Sequence, residues 1–266
     1  MKRKRTVLGF GMATSARLAA FLATPVTAAG RGRSGAPDVP PRADGSWMAE
    51  VQRNIEAQEY EVTWQDRTVL PGLDRVWQAP NRAQGFRTYF TEAGIRVIPR
   101  TEEEPLWEWG LDLVGYGRGN LVWPVPAAAL RPSGNRIEYA RGAIEEWYAN
   151  EPKGLEQGFR LDARPEELAA VSGAPSGEVE AGPRGSAGIV QLALKGTLAP
   201  VFSTDRQAID FRAAGGAGFV RYSELRVTDA GGRELRAWME AFAEAGVRGI
   251  RIVFDDTDAA YPVTID

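Results

Sequence analysis

The chain has 266 residues, is 44% hydrophobic and 25% charged, and carries a formal net charge of −3, a balance that suits one large β domain or two small ones. It contains neither cysteine nor histidine. That excludes a disulfide framework, thiol chemistry, Ser-His and Cys-His catalytic pairs and imidazole metal ligands.

Lys2, Arg3, Lys4 and Arg5 open the chain, an apolar run follows at 18–26, and Val26, Thr27 and Ala28 form a small-residue cleavage pattern. This order predicts an export signal over 1–28 and a secreted or cell-envelope protein; a basic tail is the competing reading, because Arg17 interrupts the apolar stretch. Cleavage after Ala28 removes Lys2, Arg3, Lys4, Arg5 and Arg17 and no acid, which takes the net charge from −3 to −8. An acidic domain of this kind repels nucleic-acid phosphates. No later run approaches the roughly 20 apolar residues of a membrane span. The lack of cysteine suits a bacterial envelope better than a disulfide-rich surface.

Residues 29–46 are rich in Gly, Pro and Arg and read as a flexible linker. Trp47, Val51 and Ile55 then repeat every four residues, with Ser46 as a candidate N-cap, which predicts a short helix over 47–59. From residue 60 the period changes to two. Phe86, Thr88 and Phe90 alternate with Arg87 and Tyr89, the chain turns at 92–94, and Ile95 and Val97 return. Trp107, Trp109, Leu111 and Leu113 share one face of a predicted strand. The stretch 137–162 reads as strand, turn, strand, turn, strand. Residues 164–188 have no clear period and are a candidate seam or disordered loop within the domain. Val190, Leu192 and Leu194 alternate, and Leu225 and Val227 lead through Asp229-Ala230-Gly231-Gly232 to Leu235, a hairpin signal. Over 238–246 the apolar spacing fits a short helix better than a strand, and both readings stay open. Ile250, Ile252 and Phe254 form another strand, 255–260 a loop, and 261–265 a last strand. Many short strands with Gly- and Pro-rich turns predict an all-β, antiparallel, sandwich-like domain over 60–266.

Candidate chemistry is sparse. Gly115-Tyr116-Gly117-Arg118-Gly119 has the look of a phosphate loop, but extended residues follow it where a helix start is needed, so it reads as a turn. Glu102-Glu103-Glu104, Glu145-Glu146 and Asp255-Asp256 supply carboxylates for a hydrolase pair, although neighbouring strand residues point to opposite faces. Asp255, Asp256 and Asp258 form a candidate calcium loop, with a plain acidic turn as the competing reading and no EF-hand pattern. Eight tryptophans and seven tyrosines invite a carbohydrate-stacking reading, against a core role as the default.

Six segments carry a family resemblance. They are Gln78-Ala79-Pro80-Asn81-Arg82-Ala83-Gln84-Gly85-Phe86-Arg87-Thr88-Tyr89-Phe90, Gly94-Ile95-Arg96-Val97, Ile144-Glu145-Glu146-Trp147-Tyr148-Ala149-Asn150, Gly154-Leu155-Glu156-Gln157-Gly158-Phe159, Leu225-Arg226-Val227-Thr228-Asp229 and the final Asp258-Ala259-Ala260-Tyr261-Pro262-Val263-Thr264-Ile265-Asp266. In order and spacing they resemble the N-terminal β-rich module that precedes FG-GAP (integrin-alpha-like) or seven-bladed propeller repeats in large exported bacterial proteins. The resemblance spans roughly 60–266 and stops before any repeat. It implies a non-enzymatic module at the head of a cell-surface, adhesin-like protein, with no catalytic residue and no cofactor beyond the candidate calcium. A carbohydrate- or polymer-binding sandwich is the first alternative and a carboxylate-dependent hydrolase the second.

Overall fold

Alternation decides which face each strand buries, and a computed structural model gives the result for residues 7–9, 48, 58–171, 187–215 and 219–266. The fold is all-β and antiparallel, with two large sheets packed face to face in a sandwich-like arrangement. The strands in chain order are β1 (Val7–Gly9), β2 (Thr63–Gln65), β3 (Val76–Asn81), β4 (Phe86–Phe90), β5 (Gly94–Pro99), β6 (Trp109–Arg118) and β7 (Leu121–Pro124). Next come β8 (Ala129–Ser133), β9 (Arg136–Ala140), β10 (Ile144–Glu151) and β11 (Gly154–Leu161), followed by α1 (Pro165–Val171) and β12 (Gly188–Gly196). The rest are β13 (Ala199–Phe202), β14 (Ile209–Arg212), β15 (Phe219–Ser223), β16 (Val227–Thr228), β17 (Glu234–Leu235), β18 (Ala237–Glu244), β19 (Val247–Phe254) and β20 (Val263–Ile265).

The first sheet runs β13-β14-β15-β1-β11-β10-β9-β8, with β20 beside β11 and the β16–β17 hairpin beside β20. The second runs β18-β19-β12-β6-β5-β4-β3-β2, with β7 beside β6. Each sheet is built from meanders, and β12 returns to the second sheet between β6 and β19. Between the sheets lies one core. Trp109 from the second sheet meets Phe211 from the first with ring centroids 5.2 Å apart, and Phe90 meets Tyr148 at 5.8 Å. Tilted aromatic pairs at such distances add to plain area burial. A smaller cluster forms where Val69, Leu70 and Leu73 of the β2–β3 loop cover Val76, Tyr89 and Ile98.

The strands at 86–90, 95–97, 137–162 and 250–254, and the hairpin at 229–232, stand where alternation places them. Trp107, Trp109, Leu111 and Leu113 are all buried as one face. One reading changes and one left open is decided. The glycines at 115 and 117 lie inside β6 rather than in a turn, and the chain reverses only at Gly119, whose φ is 58°. Both keep β6 flat enough for β7 to approach: a Cβ at Gly117 would collide with the Leu121 carbonyl oxygen. Residues 237–244 form strand β18, paired along its whole length with β19 through a tight turn at Ala245 and Gly246. Its apolar residues fall on both faces, Met239 on the core face and Phe242, also buried, on the other beneath Arg251, a distribution that imitates a helical period.

Pro165–Val171 is helical at the start of the periodless stretch, with Glu166 and Glu167 in its first turn. The remaining predicted features, the leader apart from Val7–Gly9, the linker 29–46, the helix 47–59 apart from Met48, Gln58 and Glu59, and residues 172–186 of the seam, lie outside the described residues. Among the described residues no helix is long and apolar enough to cross a membrane.

Candidate functional site

Two acidic centres and three surface depressions are the places where chemistry concentrates. The first centre is Glu146 on β10, fully buried between the sheets. Alternation sends Glu145 outward and Glu146 inward, so the two neighbours never share a face. The Glu146 carboxylate accepts from Arg141 Nε at 3.0 Å, from the Tyr148 hydroxyl at 2.6 Å and from Gln157 Nε2 at 3.1 Å. Gln157 Nε2 also donates to the Tyr148 hydroxyl at 2.7 Å, and Tyr222 donates to Gln157 Oε1 at 3.1 Å. Arg141 spends its other nitrogens on the carbonyls of Pro126 and Ala93, each at 2.8 Å. Ala93 belongs to the β4–β5 turn of the opposite sheet, so the guanidinium ties the two layers together. Tyr139 adds a second tie, from its hydroxyl to the Gly94 carbonyl at 3.2 Å. Burial pushes the Glu146 carboxyl above its ordinary range, and Arg141, Tyr148 and Gln157 pull back against it. The same burial, helped by the Glu146 charge, drives the Tyr148 hydroxyl well above its usual value.

A further polar clamp joins the sheets at the other end of β10. Asn81 Nδ2 donates to Asn150 Oδ1 at 2.8 Å and to the Glu151 carbonyl at 2.8 Å. Asn150 Nδ2 donates to the Pro80 carbonyl at 2.7 Å and to the Tyr60 carbonyl at 3.1 Å. Both asparagines are buried, and buried amides of this kind need such partners.

The second centre is Asp256, in the loop between β19 and β20. Arg118, at the end of β6, holds both of its oxygens in a two-pronged ion pair, one prong at 2.8 Å. The Tyr261 hydroxyl donates to Asp256 at 2.5 Å, Arg164 stands 3.7 Å away, and Glu166 at the start of α1 takes Arg118 Nε at 3.0 Å. Burial and the bond to Asp256 together raise the Tyr261 hydroxyl far above its usual value. Of the three candidate calcium ligands, Asp256 is therefore turned inward onto Arg118. Asp255 accepts from its own turn, the Thr257 amide at 3.1 Å, and those Thr257 bonds lower its carboxyl below the ordinary range. Asp258 is exposed, with a φ of 57°. Among the described residues no group of three or more acidic side chains is arranged to hold a metal ion.

Glu103 and Glu104 are exposed, and Glu102 caps its own loop by accepting the Leu106 amide at 3.0 Å. One depression of about 330 Å³ lies against the β9–β10 turn and brings Glu138, Glu145 and Asp162 to one rim with Arg131. Another, about 290 Å³, lies beside Tyr60 and Asn150. A third, about 340 Å³, is lined by Leu194, Leu198, Pro200, Ala241 and Phe242, with Arg248 among its residues. All three sit at the lower end of the roughly 300–1,000 Å³ of ligand pockets.

Four tryptophans, Trp107, Trp109, Trp123 and Trp147, are buried, as the core default requires. Trp64 on the edge strand β2 is 44% exposed and meets Trp77 edge-on at 5.2 Å. Sequence reasoning singled out Glu146 and Asp256 as candidate acids and Arg118 only within a glycine-rich turn; it assigned no role to Arg141 or Gln157 beside Glu146, or to the Asn81–Asn150 clamp. Arg141 and Gln157 come from the hairpins on either side of β10, whereas Arg118 and Asn150 reach partners far away in the chain. Comparison with protein-family models, with curated proteins and with solved structures gives no match to this chain.

Proposed function

We propose that the chain is a non-enzymatic structural or interaction module of an exported protein, the leading part of a cell-surface, adhesin-like assembly. One observation carries this reading. The two most deeply withdrawn acids, Glu146 and Asp256, are each saturated by an arginine and a tyrosine of the chain itself. A general acid or nucleophile needs an open face toward substrate, and these carboxylates spend theirs on joining elements. The basic, apolar, small-residue order of 1–28 supports export. The resemblance over 60–266 supports a place ahead of a repeat region.

Expression of the full chain in a bacterial host, with fractionation and N-terminal sequencing, tests export. The reading expects a product that begins at Ala29 outside the cytoplasm; a cytoplasmic product that begins at Met1 contradicts it. Incubation with polysaccharide, ester and peptide substrates tests the rest, and no turnover is expected.

The exposed Trp64 beside Trp77 favours a second reading, a carbohydrate- or polymer-binding sandwich, since an aromatic face at a sheet edge offers a stacking platform. It requires a shift of tryptophan emission on adding a soluble polysaccharide, and loss of that shift in Trp64→Ala.

A further inference from the structure

The first sheet is continuous only because of three residues near the N-terminus. β1 pairs antiparallel with β11 on one side, Val7 opposite Glu156 and Leu8 opposite Leu155. On the other side it pairs antiparallel with β15, Val7 opposite Ser223, Leu8 opposite Tyr222 and Gly9 opposite Arg221. β11 and β15 therefore run parallel to each other with one strand between them, their edges about 10 Å apart, twice the ordinary strand spacing. β10 occupies the far edge of β11 and β14 the far edge of β15. On the near edge of β11, β20 reaches only Phe159, Arg160 and Leu161. Among the described residues, the stretch at 155–156 pairs on this edge with β1.

The floor of this gap is already built. Leu155, Val220 and Tyr222 are buried in the core, and the Tyr222 hydroxyl reaches across the gap to Gln157 at 3.1 Å. That bond ties the two strands beneath the place of the missing strand. A sheet edge that loses its neighbouring strand exposes backbone donors and acceptors that need partners.

We infer that the gap between β11 and β15 is a strand-acceptor site that binds one extended polypeptide segment by β-augmentation. The segment lies antiparallel to both edges, with an apolar residue at the register position opposite Leu155 and Tyr222 and a small one at the next. Val7-Leu8-Gly9 occupies the site in cis and shows the chemistry it accepts. Main-chain bonds on two sides supply affinity, and the position opposite Leu155 and Tyr222 supplies selectivity. Removal of 1–28 empties the site for a segment of the same chemistry from another polypeptide. This last step rests on the export reading; the site itself does not.

The test uses the full chain, which has no cysteine of its own. The paired substitutions Val7→Cys and Ser223→Cys should form a disulfide under mild oxidation, because directly opposed strand residues lie within bridging distance. A pair placed out of register, Val7→Cys with Ser203→Cys, should not. Leu8→Pro removes an amide and disfavours a central strand. A labelled peptide of residues 5–12 should bind that variant at least about tenfold more tightly than the wild type, whose site is self-occupied. The same peptide carrying Leu8→Pro should not bind. Hydrogen exchange should show lost protection at 155–157 and 220–223 in Leu8→Pro, recovery on adding the peptide, and unchanged protection in β12, which reports an intact fold.

The inference fails if the peptide binds both chains equally, or if it binds neither while β12 stays protected. It fails also if β11 and β15 close on each other and keep their protection in Leu8→Pro. Collapse of β12 protection in that variant would make β1 a fixed part of the core, which also overturns the inference. A cytoplasmic product that begins at Met1, with peptide binding as expected, removes the export reading and leaves the strand site standing.

Discussion

Replacing Arg141 by alanine should be among the most damaging single changes outside the apolar core. The side chains of Arg141 and Glu146 are 1% and 0% exposed, and their ion pair measures 3.0 Å. Removing one member of such a pair leaves an unpaired charge in the interior, at a cost of about 3–5 kcal/mol. The carbonyls of Pro126 and Ala93 lose their donors as well, but the depression at the β9–β10 turn borders Arg141 and lets water replace part of that loss. At about 2–4 °C per kcal/mol for a domain of this size, the melting temperature should fall by roughly 6–20 °C. The cost should also depend on pH. Glu146 in the fold is held above its ordinary value by burial, so its contribution is complete below the unfolded carboxylate range and is lost as pH rises through the raised folded value. Arg141 pulls that folded value down; without it the value climbs further. The deficit of the variant is therefore smallest near pH 4 and largest at neutral pH. Urea denaturation followed by tryptophan fluorescence across this range measures it. Arg141→Met combined with Glu146→Leu should recover more than half of the loss, because no orphaned charge remains. A loss below about 1 kcal/mol at neutral pH, or a deficit flat from pH 4 to pH 8, would refute the reasoning.

Asn150→Ala should cost about 2–3 kcal/mol in the same assay, since it removes one of the two bonds of Asn81 Nδ2 and the side-chain donor to two carbonyls between the sheets. Gly158→Ala should cost about 1–3 kcal/mol and shift tryptophan emission, because the new methyl group would press into the Trp147 ring packed over Gly158. Calcium at millimolar concentration should leave the melting temperature unmoved while Asp256 stays on Arg118; a rise with calcium would require Asp255, Asp256 and Asp258 to reorganise into a site.

Several strands were legible because the apolar residues of their core face alternate without a break, as in Ile95 and Val97 or Val190 and Leu192. β18 was not, since Trp238, Met239 and Phe242 put apolar groups on both faces and imitate a helix. Glycines 115 and 117 suggested a turn because their reason lies in another strand, the close approach of β7. The helix at Pro165–Val171 carried local signs, a proline at its start and two glutamates in its first turn, which the glycine-rich composition around it obscured. The acidic centres were half visible. Alternation assigns Glu145 and Glu146 to opposite faces, yet nothing near Asp256 in the chain points to Arg118, 138 residues away. Contacts of that kind are set by which strands become neighbours, and a single chain read in order does not contain that information.

The claim that the buried acids serve the fold rather than a reaction is tested most directly by measuring stability and turnover together in Glu146→Gln and Asp256→Asn. Both variants should melt at lower temperature than the wild type, and all three proteins should leave polysaccharide, ester and peptide substrates unchanged. Hydrolysis by the wild type that either variant abolishes while its melting temperature stays the same would contradict the account.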